Sequence, residues 1–471
     1  MAGSPLPHDL RLATAVSVAW LSAAIGVAGT GRRALLMAVA AGAVGLVALA
    51  ASRRGRQLAS VLAMSAFCAA LLLAPLAARL ANAGNSPLAA LARQRVELTA
   101  ELTVTADPRS LAATGVAGSP RAAVDAEVTG VTVAGQRERA RGAVLVLGPA
   151  ALWRDVLPGQ RVRLDVRAQP PLPGNLLVAT FAAQSDPVLL GSPPWWQRAA
   201  GRVRGSMRQA ASGLPGDASG LLPGLVDGDT AGLDPVLAEH FQLAGLTHLV
   251  AVSGANCAIL LGAVLLVLRR LRCGPRTCAL VGVLVLVAFV VVARPSPSVL
   301  RAAAMAALAL YGLATGRERG TLPALSAAVL GLLLWQPELA ASAGFAMSVL
   351  ATGALLMVAP GWADALARRR VPSWLAGPLA VAAAAHLVTA PVVAAISGKV
   401  SLVAVPANLL AEPVMGAVTV LGFCAAATAP FSEGAGTVFA WLAGWPCRWL
   451  IGVANFFGGM HGATLPWPAG V

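Results

Sequence analysis

The sequence predicts a polytopic α-helical membrane protein of about 11 transmembrane spans with one inserted, extracytoplasmic β-barrel of OB-like size. Three observations carry that prediction. Hydrophobic residues make up 57% of the 471 residues and charged residues only 12%. A soluble globular protein carries roughly 25% charged residues, so too few polar groups exist here to cover a water-facing surface. Long apolar runs recur, each near the roughly 20 residues that cross a bilayer as a helix. One stretch, residues 95–190, replaces those runs with apolar residues in period two.

Residues 1–80 hold three apolar runs, near 12–30, 34–51 and 58–80, separated by Gly31-Arg32-Arg33 and Arg53-Arg54-Gly55-Arg56. The first run follows Arg11 with no small-residue cleavage site behind it, and reads as a first span rather than a signal peptide. In residues 95–190, Val96, Leu98, Ala100, Leu102 and Val104 alternate with polar or small residues. Similar short runs follow at 124–133, 143–147, 161–167 and 177–182, divided by turns such as Leu157-Pro158-Gly159-Gln160. Short strands with regular turn signals point to a small barrel or sandwich. Residues 195–214 open on Trp195-Trp196 and carry Arg198, Arg202, Arg204 and Arg208 toward one helical face. That segment reads as an amphipathic interfacial helix or as an ordinary solvated connector. A Gly- and Asp-rich stretch, 217–234, reads as a loop. Residues 240–460 form the main membrane domain, with spans near 246–268, 277–293, 297–315, 322–336, 340–359, 374–397, 402–428 and 435–458. Pro406 and Pro413 mark 402–428 as a broken or re-entrant span.

The net charge is +15, nearly all of it arginine, with Lys399 the sole lysine. Membrane topology alone accounts for such an excess, so it says little about nucleic acid. Basic clusters at 269–276, 317–319 and 368–370 follow every second span, which the positive-inside rule places in the cytoplasm. The N-terminus then lies inside and residues 95–190 outside the cell membrane. Cys68, Cys257, Cys273, Cys278, Cys424 and Cys447 lie mostly in or beside apolar runs, without zinc spacing, and read as small fillers. No metal, cofactor or catalytic group is expected.

Polar residues inside apolar spans mark candidate sites, because they are costly unless paired or hydrated. His248, Ser253, Gly254 and Asn256 gather at the start of one span. They fit a hydrated cavity mouth, or else helix capping and interhelical hydrogen bonding. Arg301 lies about one turn into another apolar helix, after Ser298, and needs a partner or a route to the interface. Asn408 and Glu412 share one helical face, and Glu412 is a candidate partner for Arg301. His386 stands alone in a small-residue helix and reads as a packing residue.

These stretches resemble the ComEC competence family. Residues 245–254, Gly-Leu-Thr-His-Leu-Val-Ala-Val-Ser-Gly, resemble its "G-L-[ST]-H-L-x-A-[IV]-S-G" signature, and 297–302, Pro-Ser-Val-Leu-Arg-Ala, its "P-S-x-x-R-A" signature. Residues 342–348 resemble "G-F-x-L-S" and 407–413 "x-N-L-L-A-x-P", all in family order. The resemblance implies passage of single-stranded DNA across the cytoplasmic membrane during natural transformation, with an external OB-like domain that receives DNA. Arg137, Arg139 and Arg141 are then the candidate DNA track, while Trp153 and Phe181 are the only large aromatics available for stacking. The lipid bilayer, an extracytoplasmic DNA receptor, a cytoplasmic ATPase or helicase, and a separate nuclease are the implied partners, since no Walker A pattern is present. Asn256 stands where many relatives have His, which keeps hydrogen bonding but removes a titratable group. Many relatives carry a C-terminal metallo-β-lactamase-like domain; here His461 stands alone near Val471, and no nuclease activity is expected. Two other classes stay open: an intramembrane serine hydrolase pairing Ser253 with His386, and a small-solute secondary transporter built around the broken span.

Overall fold

The computed structural model describes residues 10–52, 57–111, 121–153, 156–171, 176–250, 254–316 and 320–467. The chain divides into two compact units, residues 10–199 with 333–341, and the remainder.

The first unit starts with three helices, α1 (Arg11–Val27), α2 (Gly31–Ser52) and α3 (Gln57–Gly84). They bury small residues against each other, such as Ala34, Ala38 and Gly45 of α2, and leave leucines and valines exposed outward. That inversion of the water-soluble pattern suits helices whose outer face meets lipid. A short helix, α4 (Pro87–Gln94), is capped by Ser86, whose hydroxyl accepts the Leu88 N–H.

Eight strands follow: β1 (Glu97–Val104), β2 (Arg109–Leu111), β3 (Arg121–Val133), β4 (Gln136–Glu138), β5 (Gly142–Pro149), β6 (Arg161–Gln169), β7 (Ala179–Ala183) and β8 (Val188–Leu189). Five of them close a barrel in the order β1-β3-β5-β7-β6-β1. All pairings in that ring are antiparallel except β5 with β7. This is the connectivity of an OB-like barrel. Alternation places Leu98, Ala100, Leu102 and Val104 of β1 and Val162, Leu164, Val166 and Ala168 of β6 in the core, as period two requires. A register shift between Glu101 and Leu102 marks an irregularity in β1 where it pairs with β3. Trp153 and Phe181 are both fully enclosed in this core, so neither offers a stacking face to a base.

The second unit is helical. Its elements include most of α5 (Trp195–Ala211), then α6 (Ala218–Asp227), α7 (Pro235–Leu243), α8 (Thr247–Val250), α9 (Gly254–Arg270), α10 (Pro275–Ala293), α11 (Pro297–Thr315) and α12 (Thr321–Trp335) up to Leu332. After these come α13 (Ala343–Met357), α14 (Ala359–Arg368), α15 (Ser373–Ser397), α16 (Ala404–Thr428) and α17 (Glu433–Gly458). Strands β9 (Lys399–Ser401) and β10 (Thr464–Pro466) pair beside them.

Several expectations meet the structure here. Among the described residues, six helices are long and apolar enough to cross a membrane, or seven if the bent pair α13–α14 is one span. Of the eleven expected spans, those at α1, α9, α12 and α17 fall outside this set; α1 and α12 are shorter apolar helices, and α9 is described over 17 residues. Second, residues 218–227 are a helix and not a loop. Leu221, Leu222, Leu225 and Val226 of α6 sit at the centre of the core shared with α16 and α17. Third, α16 is one continuous helix through Pro413. Pro406 falls in its first turn, where a missing N–H costs nothing. The bend lies elsewhere, 43° between α13 and α14. In α5, Arg198, Arg202 and Arg208 are exposed and Arg204 is half-buried; Arg204 and Arg208 also bond to the acidic stretch at the end of α6.

Helix α6 is held by a close approach. A methyl group on Gly220 would overlap the carbonyl oxygen of Gly232. Backbone cannot swing aside as a side chain can, so Gly220→Ala is expected to destabilise the chain by about 1–3 kcal/mol. Thermal unfolding in detergent checks this against Gly262→Ala, a site on α9 with nothing within 4 Å, which should not lower the midpoint.

Candidate functional site

Helix α11 begins with Ser296, whose hydroxyl accepts the Val299 N–H, and with proline at its first position. Ser298 lies half-buried in its first turn. Arg301 follows one turn later, only 7% exposed. Its Nε donates to Ser348 Oγ at 2.8 Å, and its Nη1 lies 3.3 Å from Met305 Sδ. Ser348 is presented by α13, whose start is fixed by Ser342 accepting the Phe345 N–H. A Cβ on Gly254 would stand 3.0 Å from Arg301 Nη2 and 3.4 Å from Ala302 Cβ. Glycine at the start of α9 therefore makes room for the guanidinium. Gly254, Arg301 and Ser348, far apart in sequence, form one contact.

Arg301 has no carboxylate within 4.0 Å among the described residues. The suggested pairing with Glu412 is not made. Glu412 lies on an exposed face of α16, and Asn408, one turn earlier, donates to the Ala404 carbonyl at 2.8 Å and the Gly245 carbonyl at 3.5 Å. A buried cation whose side-chain partners among the described residues are a hydroxyl and a thioether keeps most of its desolvation cost.

Asn256, two residues past Gly254, is fully buried. Its Nδ2 donates to the Leu225 carbonyl at 2.9 Å, and its Oδ1 accepts from Thr419 Oγ1 at 3.4 Å. The amide joins α9, α6 and α16 through one donor and one acceptor, a role that needs no titratable group. His248 sits on α8 with an exposed side chain. Ser253 lies outside the described residues. His386 of α15 lies beside the backbone of Ser401 in β9.

A second polar cluster was not foreseen. Asp227 ends α6 and is 1% exposed. Its Oδ1 accepts the Asp229 N–H at 3.0 Å, while its Oδ2 has no hydrogen-bond partner among the described residues. Arg204 donates to the Asp227 and Val292 carbonyls at 2.7 and 3.1 Å, and Arg208 pairs with Asp229 at 3.1 Å. Burial pushes the Asp227 carboxyl up to about 6, against the opposing pull of the Arg204 charge. In the sequence Asp227 reads as one of several loop acids; only the helix before it makes it a buried one. Ser348 closes the 342–348 stretch that resembles "G-F-x-L-S", but nothing in the sequence pairs it with Arg301, and Thr419 had no signal beyond being a hydroxyl in an apolar helix.

On the barrel, Arg137, Arg139 and Arg141 are all exposed. Arg137 pairs with Glu101 at 2.8 Å, and Arg163 and Arg161 reach the same carboxylate at 2.7 and 3.8 Å. The Arg163 hydrogen bond and the three arginine charges together hold the Glu101 carboxyl below its ordinary range. Three guanidiniums around one carboxylate leave a net positive patch across β1, β4 and β6. Arg161 and Arg163 belong to it because β6 pairs with β1, a partnership that strand spacing does not reveal. Arg139 and Arg141 are exposed.

Comparisons with known proteins agree with the motif reading. The chain is similar to ComE operon protein 3 of Bacillus subtilis (strain 168), with 26% identity over 200 residues. The match covers 42% of this chain and spans only 25% of that relative's length. No solved structure matches. Residues 225–471, which hold Gly254, Asn256, Arg301, Ser348, Asn408 and Glu412, match the family model described as Competence protein. That match takes in more than half of the chain, and the chain belongs to the competence protein family.

Proposed function

We propose that this chain conducts single-stranded DNA across the cytoplasmic membrane during natural transformation. The observation that carries the reading is Arg301, a guanidinium enclosed among apolar helices with no carboxylate beside it among the described residues. A passing phosphodiester supplies the missing anion, and it does so transiently because Ser348 remains as the resting partner. The net positive patch around Glu101 supports electrostatic capture of the strand by the barrel. Because Trp153 and Phe181 are enclosed, capture there acts on the backbone and not by base stacking.

The reading assigns no covalent step to this chain. An external DNA receptor delivers the strand, a cytoplasmic ATPase or helicase supplies the work, and a separate nuclease removes the complementary strand. The small-solute alternative loses its support with the continuity of α16.

The test is entry of labelled DNA into cells lacking the gene, restored with wild type, Arg301→Ala or Arg301→Lys. Arg301→Ala is expected to lower entry more than tenfold at normal protein levels while surface binding persists, and Arg301→Lys to restore part of it. Unchanged entry in the deletion strain, in a competent background without a second copy, would overturn the proposal.

A further inference from the structure

The first unit carries a basic cleft that takes in Arg141, one of the arginines expected to track DNA. The cleft encloses about 250 Å³ and is bordered by Arg79, Asn82, Arg141, Leu176, Val178 and Glu338. That volume is below the roughly 300 Å³ of the smallest drug-sized pockets and suits a group of headgroup size. Arg79 and Asn82 are three residues apart and share one face of α3, in its last two turns. Arg141 comes from the connection between β4 and β5, is exposed, and makes no ion pair or side-chain hydrogen bond among the described residues. Arg79 donates to the Trp335 carbonyl at 3.0 Å and stands 3.9 Å from Glu338 Oε1, with both side chains about half exposed. A solvated pair at that distance neutralises little.

We infer that this cleft binds the phosphate of an anionic glycerophospholipid. Level and continuity favour a lipid over a nucleic acid. Helix α3 is long and apolar enough to cross a membrane, and Arg79 and Asn82 lie where its apolar stretch ends. That is the depth of headgroup phosphates. Below them, Leu71, Ala74 and Ala78 form an exposed apolar row on the same helix, a track for an acyl chain running down from the phosphate. A single strand held at the Glu101 patch would find no use for that row. Two guanidiniums and an amide satisfy phosphate oxygens, while Leu176 and Val178 meet the glycerol carbons.

The experiment uses the full chain purified in mild detergent and in nanodiscs of phosphatidylglycerol or phosphatidylcholine. Retained lipid is read by native mass spectrometry, and stability by thermal unfolding. Wild type is expected to retain phosphatidylglycerol in preference to phosphatidylcholine, with about fivefold lost for each of Arg79→Gln and Arg141→Gln. The thermal midpoint should be higher in phosphatidylglycerol, and the difference should vanish in the double variant. Arg139→Gln, a neighbouring exposed arginine outside the cleft, should leave retention unchanged. Arg141→Gln alone guards against misfolding, since its side chain makes no contact to lose. Equal retention in wild type and Arg141→Gln, or equal retention of the two lipids, overturns the inference. Displacement of phosphatidylglycerol by a short oligodeoxythymidine at equal phosphate concentration also overturns it, and assigns the cleft to nucleic acid.

Discussion

Gly254→Val is expected to abolish DNA entry about as fully as Arg301→Ala, although it removes no charge and no hydrogen bond. The reason is steric. A Cβ at Gly254 already stands 3.0 Å from Arg301 Nη2 and 3.4 Å from Ala302 Cβ, and a valine adds two methyl groups to that crowding. The guanidinium must then leave its contact with Ser348, or α9 must move. Gly254→Ala asks for a shift of a few tenths of an ångström and should retain part of the activity. The coupling between the two positions is the sharper measurement. If Gly254 acts by shaping the Arg301 site, Gly254→Val in an Arg301→Ala background should cost little more than Arg301→Ala alone. Entry rates that multiply, each variant costing its full factor, would show that Gly254 serves something other than Arg301. Protein levels in the membrane must match across the set, because α9 begins at this residue.

Asp227→Asn is expected to stabilise the chain at neutral pH and to remove a pH dependence. The folded carboxyl is raised from its ordinary 3.8 to about 6 by burial, so folding favours its protonated form. Between about pH 4 and 6 the folded chain binds more protons than the unfolded one, and stability falls as pH rises through that window. The stabilisation is fully present below pH 4, and about 3 kcal/mol of it is gone above pH 6. Asparagine is neutral throughout and retains an oxygen for the Asp229 N–H. Thermal unfolding from pH 4 to 8 should therefore show a declining midpoint in wild type and a flatter curve in the variant. Arg204, Arg208 and Asp229 surround the group, and Arg208→Gln provides the control for their contribution. A variant less stable than wild type at pH 7 would mean that the charged carboxylate holds Arg204 in place and repays its own burial. Asp227→Asn should also be assayed for DNA entry, since an acid kept at a cost of this size in the core of the family-matched region has a use beyond stability.

The barrel was legible because strands report themselves locally. Each of the five runs expected from alternation became a strand, and the alternation alone fixed which side chains point inward. Closure was not legible: the parallel pairing of β5 with β7 and the pairing of β1 with β6 join segments whose sequences carry no mark of each other. That is why Arg161 and Arg163 were missed beside Glu101 while Arg139 was included. In the helical unit, polar cost inside apolar runs singled out Asn256 and Arg301, and each bonds to another helix. It could not say which helices. A buried arginine invites a carboxylate partner on paper, and Glu412 was the obvious one, yet the guanidinium meets a hydroxyl from α13. Helix α6 was hidden by composition. Its Gly220, Gly224 and Pro223 read as punctuation, but here the glycines serve close packing around a buried helix rather than a turn.

The closed ring of strands also sets an order of events during synthesis. Helices α2 and α3 are neighbours in sequence and can pack as soon as both have left the ribosome. The barrel cannot, because β1 has no partner on one side until β6 arrives some 60 residues later, and β5 waits for β7. Contacts between distant segments form slowly. The nascent chain therefore carries a set of open strand edges after its first helices are in place, and those edges disappear only when residue 183 has been made available. Whatever receives the growing domain must shield it for that interval, which makes this stretch, rather than the membrane helices, the step in biogenesis most exposed to aggregation.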